Sequence, residues 1–356
     1  MNNFFKINKT FVGKNFPTYF IADIAANHDG NLNKAIDLIN MAKISGANAA
    51  KFQHFNADTI VSDSTFKSFK KKLSHQSKWK KSVFNVYKDA SLNLHWTKIL
   101  KKECDKVGID FLTSPYSFEL VDHVDQYVSA YKIGSGDITW LDLAKYIAKK
   151  NKPYIIATGA SNITDVKRIY KVCNKINKKI SILQCNTNYT AEAKNFKYIN
   201  LNVLKLYKKL FPKAILGLSD HTLGNTTVLG AIALGAKIIE KHFTLKNNSF
   251  GPDHKFSMTP KTWKEMILRS RELEISVGSE KKKVEKNELE TEIVQRRSIH
   301  SAKNLCKNTT LRAEDLKFLR PCPKNGIPPY NYNKVIGKKL KKNIKKNFLI
   351  SFKDLY

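Results

Sequence analysis

The chain is short of acidic residues: 30 Asp and Glu stand against 63 Lys and Arg, a formal net charge of +33 over 356 residues. A dedicated nucleic-acid face would gather such charge on one stripe. Here it is mostly lysine and is spread along the whole length, in clusters such as Lys70-Lys71-Lys72, Lys281-Lys282-Lys283 and Lys338-Lys339. It therefore reads as solvated surface rather than a nucleic-acid partner site, and as a field that draws in small anionic substrates. Long apolar runs are also missing. None reaches the about 18 residues that a membrane span requires, so no membrane partner is expected. The opening MNNFFKINKTFVGKNFPTYF lacks the apolar centre and small-residue cleavage site of a secretory leader. The five cysteines, Cys104, Cys173, Cys185, Cys306 and Cys322, are odd in number and without CxxC spacing. That suits reduced thiols in a cytoplasmic protein better than a disulfide frame or a zinc site. No glycine fingerprint follows the first strand. There is no Walker loop, no Ser-His-Asp order and no internal repeat.

What is present is organised around Gly217 to Thr244. An apolar lead-in, Ala214-Ile215-Leu216, ends in Ser219-Asp220-His221. A helix of small residues follows, and Ile238-Ile239 then ends in Glu240-Lys241-His242. In a parallel barrel or sheet, neighbouring strand ends lie side by side, so His221 and His242 should face one cleft. An isolated histidine pair is commonly just hydrogen-bonded. Ser219, Asp220, Glu240 and Lys241 beside this pair argue instead for a divalent metal.

The same rhythm runs through the chain. Strands are expected at Thr18–Ile24, Ala49–His54, Ile109–Ser114, Ala130–Ile133, Tyr154–Ala157 and Ile180–Leu183, besides the two above. Helices are expected over Leu32–Ser45 (with Gly46 as its cap), Leu94–Val107, Phe118–Tyr127, Trp140–Lys149, Asp165–Ile176, Leu201–Phe211, Thr226–Leu234 and Thr262–Ile275. Residues 55 to 90, polar and rich in Lys and Ser, interrupt it as a long loop of the kind that forms lids or binding segments. Eight βα units over about 275 residues predict a (β/α)8 TIM barrel rather than a doubly wound sheet. We place the barrel domain at residues 1–285, a charged linker at 286–293 (the charged run Glu285 to Glu292 being a linker or an exposed helix) and a small β-rich domain at 294–356.

The polar clusters all fall at strand carboxyl ends, where barrels build their chemistry. They include Asp23, Asn27 and His28, Lys51 and Gln53, Ser114, Lys132 and Ser135, Thr158, Asn186 and Tyr189. Two lysines from strands two and four suit a phosphate or carboxylate. Two imidazoles with oxygen ligands suit a borderline ion such as Mn2+, with positions left for substrate oxygens. Lys132 offers a rival chemistry, a Schiff-base aldolase or lyase. A non-catalytic protein that binds acidic glycans through its charge is the rival from another class.

The segments IADIAANHDG, AAKFQHF, TSPYSF, AYKIGSGD, ATGAS, GLSDHT, IEKHFT and GPDHKFSM resemble, in order and spacing, the sialic acid (N-acetylneuraminate and related nonulosonate) synthase family. The end of the chain, with RRSI and then LRP, resembles that family's antifreeze-like SAF domain. The resemblance implies a transferase that condenses phosphoenolpyruvate with an N-acetylmannosamine-like or diacetamido-hexose aldehyde, giving a nine-carbon 2-keto-3-deoxy acid and phosphate. It implies that His221 and His242 hold a divalent metal, Mn2+ foremost with Mg2+ or Co2+ as alternatives, and that Asp23 acts with them. Lys51, Lys132, Ser135, Ser219 and Asn186 would grip phosphoenolpyruvate; Thr187 and Asn188 compete with Asn186 for the strand-six role. Gln53, Tyr189, Glu240 and Asp253 would hold the sugar. Arg320 would reach the partner's site in a domain-swapped homodimer and bind the N-acyl group. The family often has Glu where Asp23 stands, and some relatives have Ser where Ala157 stands. These departures imply an acceptor other than plain N-acetylmannosamine.

Overall fold

The computed structural model describes residues 3–69, 71 and 73–356, with residues 74 and 78 by backbone only. The chain forms two compact units, residues 1–278 and 279–356.

The first unit is a closed eight-stranded parallel barrel. Its strands are β1 (Tyr19–Asp23), β2 (Ala49–His54), β3 (Asp110–Pro115), β4 (Tyr131–Ile133), β5 (Tyr154–Ala157), β6 (Ile180–Cys185), β7 (Ile215–Asp220) and β8 (Ile238–His242). β8 pairs with both β7 and β1, which closes the ring. The outer helices are α1 (Leu32–Ile44), α2 (Trp96–Val107), α3 (Phe118–Asp125), α4 (Leu141–Lys149), α5 (Ile163–Ile176), α6 (Val203–Leu210), α7 (Thr226–Ala233) and α8 (Pro260–Val277). Each βα unit expected from the sequence is found in order. Strands buried on both faces read as continuous apolar runs, and the helices show one apolar stripe. In α5 that stripe is Val166, Ile169 and Cys173, and Asn162 caps the helix by accepting from the Thr164 and Asp165 amides. The carboxyl cap of α1 is Ser45 rather than Gly46, which takes φ +92° just beyond it.

Alternation along the strands sorts side chains between two apolar layers. Residues such as Phe20, Ala22, Ala50 and Phe52 face the helices and form the main core with Leu38, Ile39, Leu100 and Trp263. Their neighbours Tyr19, Ile21, Ala49, Leu112, Ile155, Leu183, Ile215 and Ile238 pack inside the barrel. An antiparallel hairpin, Phe4–Ile7 with Thr10–Gly13, adds Phe5, Ile7 and Val12 to that inner layer. The hairpin was not expected from the sequence. It closes the amino-terminal end of the barrel, and Asn8 donates to Asp110 Oδ1 at 3.0 Å across that seam.

Residues 55–90 are not a plain loop. They hold short helices at Ala57–Ile60, Asp63–Ser68 and Val83–Ala90 and a 3-10 turn at Ser74–Lys78. No helix among the described residues is long and apolar enough to cross a membrane.

The second unit carries an exposed helix, Leu289–Gln295, one of the two forms, linker or exposed helix, that the charged stretch suggested. An antiparallel pair, Ser298–Ser301 with Leu316–Leu319, and isolated bridges such as Leu305 to Ile344 and Thr310 to Lys339 follow. They enclose a small core of Ile299, Leu311, Ile327, Val335, Leu340 and Ile350.

Candidate active site at the carboxyl rim

The period-two alternation that makes the inner apolar layer continues upward into polar residues. Tyr19 and Ile21 lead to Asp23 on β1; Ala49 leads to Lys51 and Gln53 on β2; Ile238 leads to Glu240 and His242 on β8. Register places Lys51 beside Asp23, Glu240 beside Ser219 and His242 beside Asp23. β7 comes close enough here only because Gly217 has no side chain: a Cβ would lie 2.3 Å from the Ile238 carbonyl oxygen. The result is a cleft of about 560 Å3 at the carboxyl end of the barrel.

The cleft floor is a buried charge cluster. Lys51 Nζ lies 2.7 Å from Asp23 Oδ2 and 3.8 Å from Glu240 Oε2, and Lys132 Nζ lies 3.4 Å from Glu240 Oε1. Ser219 Oγ donates to Glu240 Oε1 at 2.9 Å, and Lys132 Nζ donates to the Ile133 carbonyl at 3.2 Å. Burial works against the charge of Glu240, yet Lys132 and Lys51 hold its carboxyl at about 2. Burial pushes Asp23 up against the pull of Lys51, and Glu240 adds to the rise. Lys51 is disfavoured by burial but raised by Asp23 and Glu240. The two carboxylates are thus driven apart, Glu240 held down as an anion by two lysines and Asp23 pushed up by burial. Desolvating an ion costs several kcal/mol, on the order of magnitude seen for buried pairs. Even so, Asp23 Oδ1, Glu240 Oε2 and His242 Nδ1 are buried without a hydrogen-bond partner. Orphaned atoms this close together mark a ligand site rather than a device for stability.

His221 and His242 do face one cleft, with ring centroids 5.4 Å apart. His221 Nδ1 donates to the Asn186 carbonyl at 2.9 Å, which fixes its tautomer and leaves Nε2 as a lone pair. Burial, with His242 beside it, lowers His221 to about 4; burial lowers His242 to about 4 as well. Both rings are therefore neutral near pH 7. His242 Nε2 lies 3.6 Å from Asp23 Oδ2, and its Nδ1 lies 3.8 Å from Asp253 Oδ2. This donor set fits a divalent ion: two neutral imidazoles, with one orphaned ring nitrogen. Among the described residues no group of three or more His, Cys, Asp or Glu stands ready to enclose a metal. An ion here would keep positions for water or substrate oxygens.

The other expected residues divide. Gln53, Ser135, Tyr189, Ser219 and Asp253 line the cleft. Ser135 Oγ accepts from the Gly159 amide at 3.0 Å, and a Cβ on Gly159 would meet Thr187 Cγ2 at 2.5 Å. Tyr189 packs against His221 with its ring tilted by 60° at 4.3 Å between centroids, and meets Phe256 at 5.3 Å. Asn186 does not line this cleft; its side chain turns to an adjoining groove and donates to the Tyr198 carbonyl at 3.4 Å. Only its main chain serves the site, through His221. Asn188 accepts from Thr190 and Asn195, so of the three strand-six candidates Thr187 alone faces the cleft. Asp220 and Lys241 alternate outward and pair with each other, with Thr222 and Thr227 also donating to Asp220. Asn27 donates to the Phe243 carbonyl and Ser257, and Thr158 to the Leu183 carbonyl, so both brace the frame. Arg320 lies exposed in the second unit.

Sequence reading missed Cys185, Asp137, Tyr116, Tyr87 and Trp79, which also line the cleft. Cys185 was findable, being two residues past Leu183 on the inward face of β6. Asp137 is raised to about 6 by burial, with Lys132 opposing. Trp79 and Tyr87 lie in the 55–90 insertion, which the sequence marked as a lid or binding segment without singling out these rings as cleft-lining.

The rim of this parallel barrel thus gathers neutral histidines, paired lysines and two carboxylates into one cleft. The chain belongs to the NeuB family, whose model matches residues 38–282, and a SAF domain matches residues 296–355. It is 36% identical to the N,N'-diacetyllegionaminic acid synthase of Campylobacter jejuni, over 94% of this chain and 98% of that protein. It is 30% identical to the N-acetylneuraminate-9-phosphate synthase of Homo sapiens, over 93% of this chain and 90% of that one. The solved spore coat polysaccharide biosynthesis protein SpsE of Bacillus subtilis superposes with a TM-score of 0.66 at 30% identity, over 99% of each chain. The family is thus that of the sialic-acid-type synthases, and its members carry different sugars in their names.

Proposed function

We propose that the chain is a nonulosonate synthase that condenses phosphoenolpyruvate with the open-chain aldehyde of an N-acylated amino hexose. The observation that carries this reading is the pair Lys51 and Lys132 converging on Glu240 beside two neutral imidazoles. A bond forms between the methylene carbon of phosphoenolpyruvate and the aldehyde carbon. One water enters and phosphate leaves, which balances to a nine-carbon 2-keto-3-deoxy acid. Lys51 and Lys132, with Ser135, Ser219 and Thr187, hold the phosphate and carboxylate of phosphoenolpyruvate. Asp23 takes and returns the proton that the added water must lose. Gln53, Tyr189, Glu240 and Asp253 orient the sugar. His221 and His242 would hold a divalent ion such as Mn2+, which when bound polarises the aldehyde oxygen as a Lewis acid. We extend the proposal to a swapped homodimer in which Arg320 serves the partner's site, on the strength of the SAF match.

Phosphate release from phosphoenolpyruvate tests the reading. We expect release that requires both an acceptor (N-acetylmannosamine, its 6-phosphate or a diacetamido hexose) and a divalent ion, and that a chelator stops. Borohydride trapping of pyruvate on Lys132, with no acceptor dependence, would replace this reading by the lyase.

A further inference from the structure

Asp253 reaches the cleft from the loop between β8 and α8, which carries a 3-10 turn at His254–Phe256. Side chains fix the shape of this loop. Asn247 donates to the His254 and Ser257 carbonyls at 2.9 and 2.6 Å, and Ser257 Oγ donates to the Asp253 carbonyl at 2.6 Å. Asp253 lines the cleft, whereas His254, next in sequence, turns away from it and is fully buried. There His254 Nδ1 lies 2.6 Å from Thr244 Oγ1, just beyond β8. Its Nε2 lies 2.9 and 3.1 Å from the two carboxylate oxygens of Asp29, on the loop that follows β1. A carboxylate only accepts, so Nε2 carries the donated proton, and Nδ1 of the neutral ring accepts from the Thr244 hydroxyl. Both ring nitrogens are thus tied, one to each neighbouring strand end. The two loops meet again where Asn27 donates to Ser257 Oγ at 2.9 Å and the Ala26 amide donates to Asp253 Oδ2 at 3.3 Å. The junction is close-packed: a Cβ on Gly251 would lie 2.8 Å from His254 Cδ2 and 3.0 Å from Asp29 Oδ1. Asp29 itself is 29% exposed and also pairs with Lys34 of α1.

From this arrangement we infer that Asp29 is a positioning residue: through His254 it holds the loop after β8 so that the Asp253 carboxylate stands in the cleft, 3.8 Å from His242 Nδ1. The inference rests on the synthase reading, which gives Asp253 a sugar hydroxyl to hold. The hydrogen bond that Asp253 accepts from Ala26 is long, so the loop, more than the carboxylate's own contact, sets where that group stands. A displacement of about 1 Å at a reacting site can cost about 100-fold. The pair with Lys34 does not account for Asp29, because ion pairs at the surface contribute little. The phosphoenolpyruvate side of the cleft, at Lys132 and Ser135, belongs to other strands, so the influence of Asp29 should fall on the acceptor alone.

The test reads phosphate release from phosphoenolpyruvate with Mn2+, using whichever of N-acetylmannosamine, its 6-phosphate and a diacetamido hexose is turned over. Asp29→Ala, a change near the surface, should lower kcat/KM for the acceptor by something on the order of 10- to 100-fold. KM for phosphoenolpyruvate and the circular dichroism spectrum should stay native. Asp29→Asn keeps an oxygen for the His254 Nε2 proton and should restore most of the loss, and Lys34→Ala should leave both constants unchanged. In an Asp253→Asn background Asp29→Ala should add little, because the clamp acts through that carboxylate. Native acceptor kinetics in Asp29→Ala, or a loss that recurs undiminished in the Asp253→Asn background, overturns this inference and leaves the synthase reading standing. No release by the unaltered chain with any of the three acceptors overturns both.

Discussion

Glu240 and Asp23 share one cluster and handle protons differently, because Glu240 has two lysines and Asp23 is left with one and with Glu240 itself. Glu240→Gln therefore leaves Lys51 and Lys132 facing each other with less compensation. We expect a loss of about 3–5 kcal/mol in unfolding free energy, as for other broken buried pairs, measured by urea denaturation, and loss of turnover. The imidazole pair behaves otherwise. Changes to groups that merely support a metal ligand cost about 10–100-fold in affinity or activity. Removing a proposed ligand outright, in His221→Ala or His242→Ala, should exceed that while circular dichroism stays native. Retained turnover in either variant would remove the metal assignment. Asn186→Ala should keep near-native turnover, since only its carbonyl touches His221; Thr187→Ala should raise KM for phosphoenolpyruvate. The sequence narrowed strand six to three neighbours but not to one. Which of them turns inward depends on how the chain leaves the strand, and composition does not record that.

At the level of elements, two segments show what pattern reading reaches. The eight βα units were legible because strands buried on both faces carry unbroken apolar runs. The hairpin was not: its strands are four residues each, and their partners are inner-layer residues far along the chain. Ile7→Ala, in that buried layer, should cost about 2–5 kcal/mol, seen as a lower urea midpoint with little change in KM. The part that Tyr87 and Tyr116 play in the cleft was hidden for the same reason, since both meet Phe55 across loops. A third element gives a pH signature. His54, at the end of β2, is clamped between Thr113 at 2.7 Å and Thr97 at 2.9 Å, and burial lowers it from 6.5 to about 3. The folded form binds this proton less readily than the unfolded form. The stabilisation is complete above 6.5 and is lost as pH falls towards 3, by about 1.4 kcal/mol per pH unit. Thermal unfolding followed from pH 7 to 4 should show a slope to which the lowered His28, His221 and His242 also contribute, and His54→Gln should make it shallower by the share of one histidine.

For the whole molecule, the net charge of +33 should act on encounter. KM for phosphoenolpyruvate should rise with salt as the Debye length shrinks to about 8 Å at physiological strength and below; a KM indifferent to salt would mean that the surface lysines do not steer. The assembly has a sharper test. If Arg320 serves a partner, mixing inactive His242→Ala with inactive Arg320→Ala chains should restore activity, because one site of each mixed dimer is then whole. No recovery after verified exchange would rule out sharing. The hairpin has a consequence for timing as well as stability. A vessel stoppered at the bottom has one doorway. In the proposed reaction the reactant lying deepest, against Lys132, must enter before the one that rests under Tyr189, and what is left of it must depart last. Traffic through such a cul-de-sac follows a compulsory queue, and initial-rate kinetics will record it as ordered addition with phosphoenolpyruvate first.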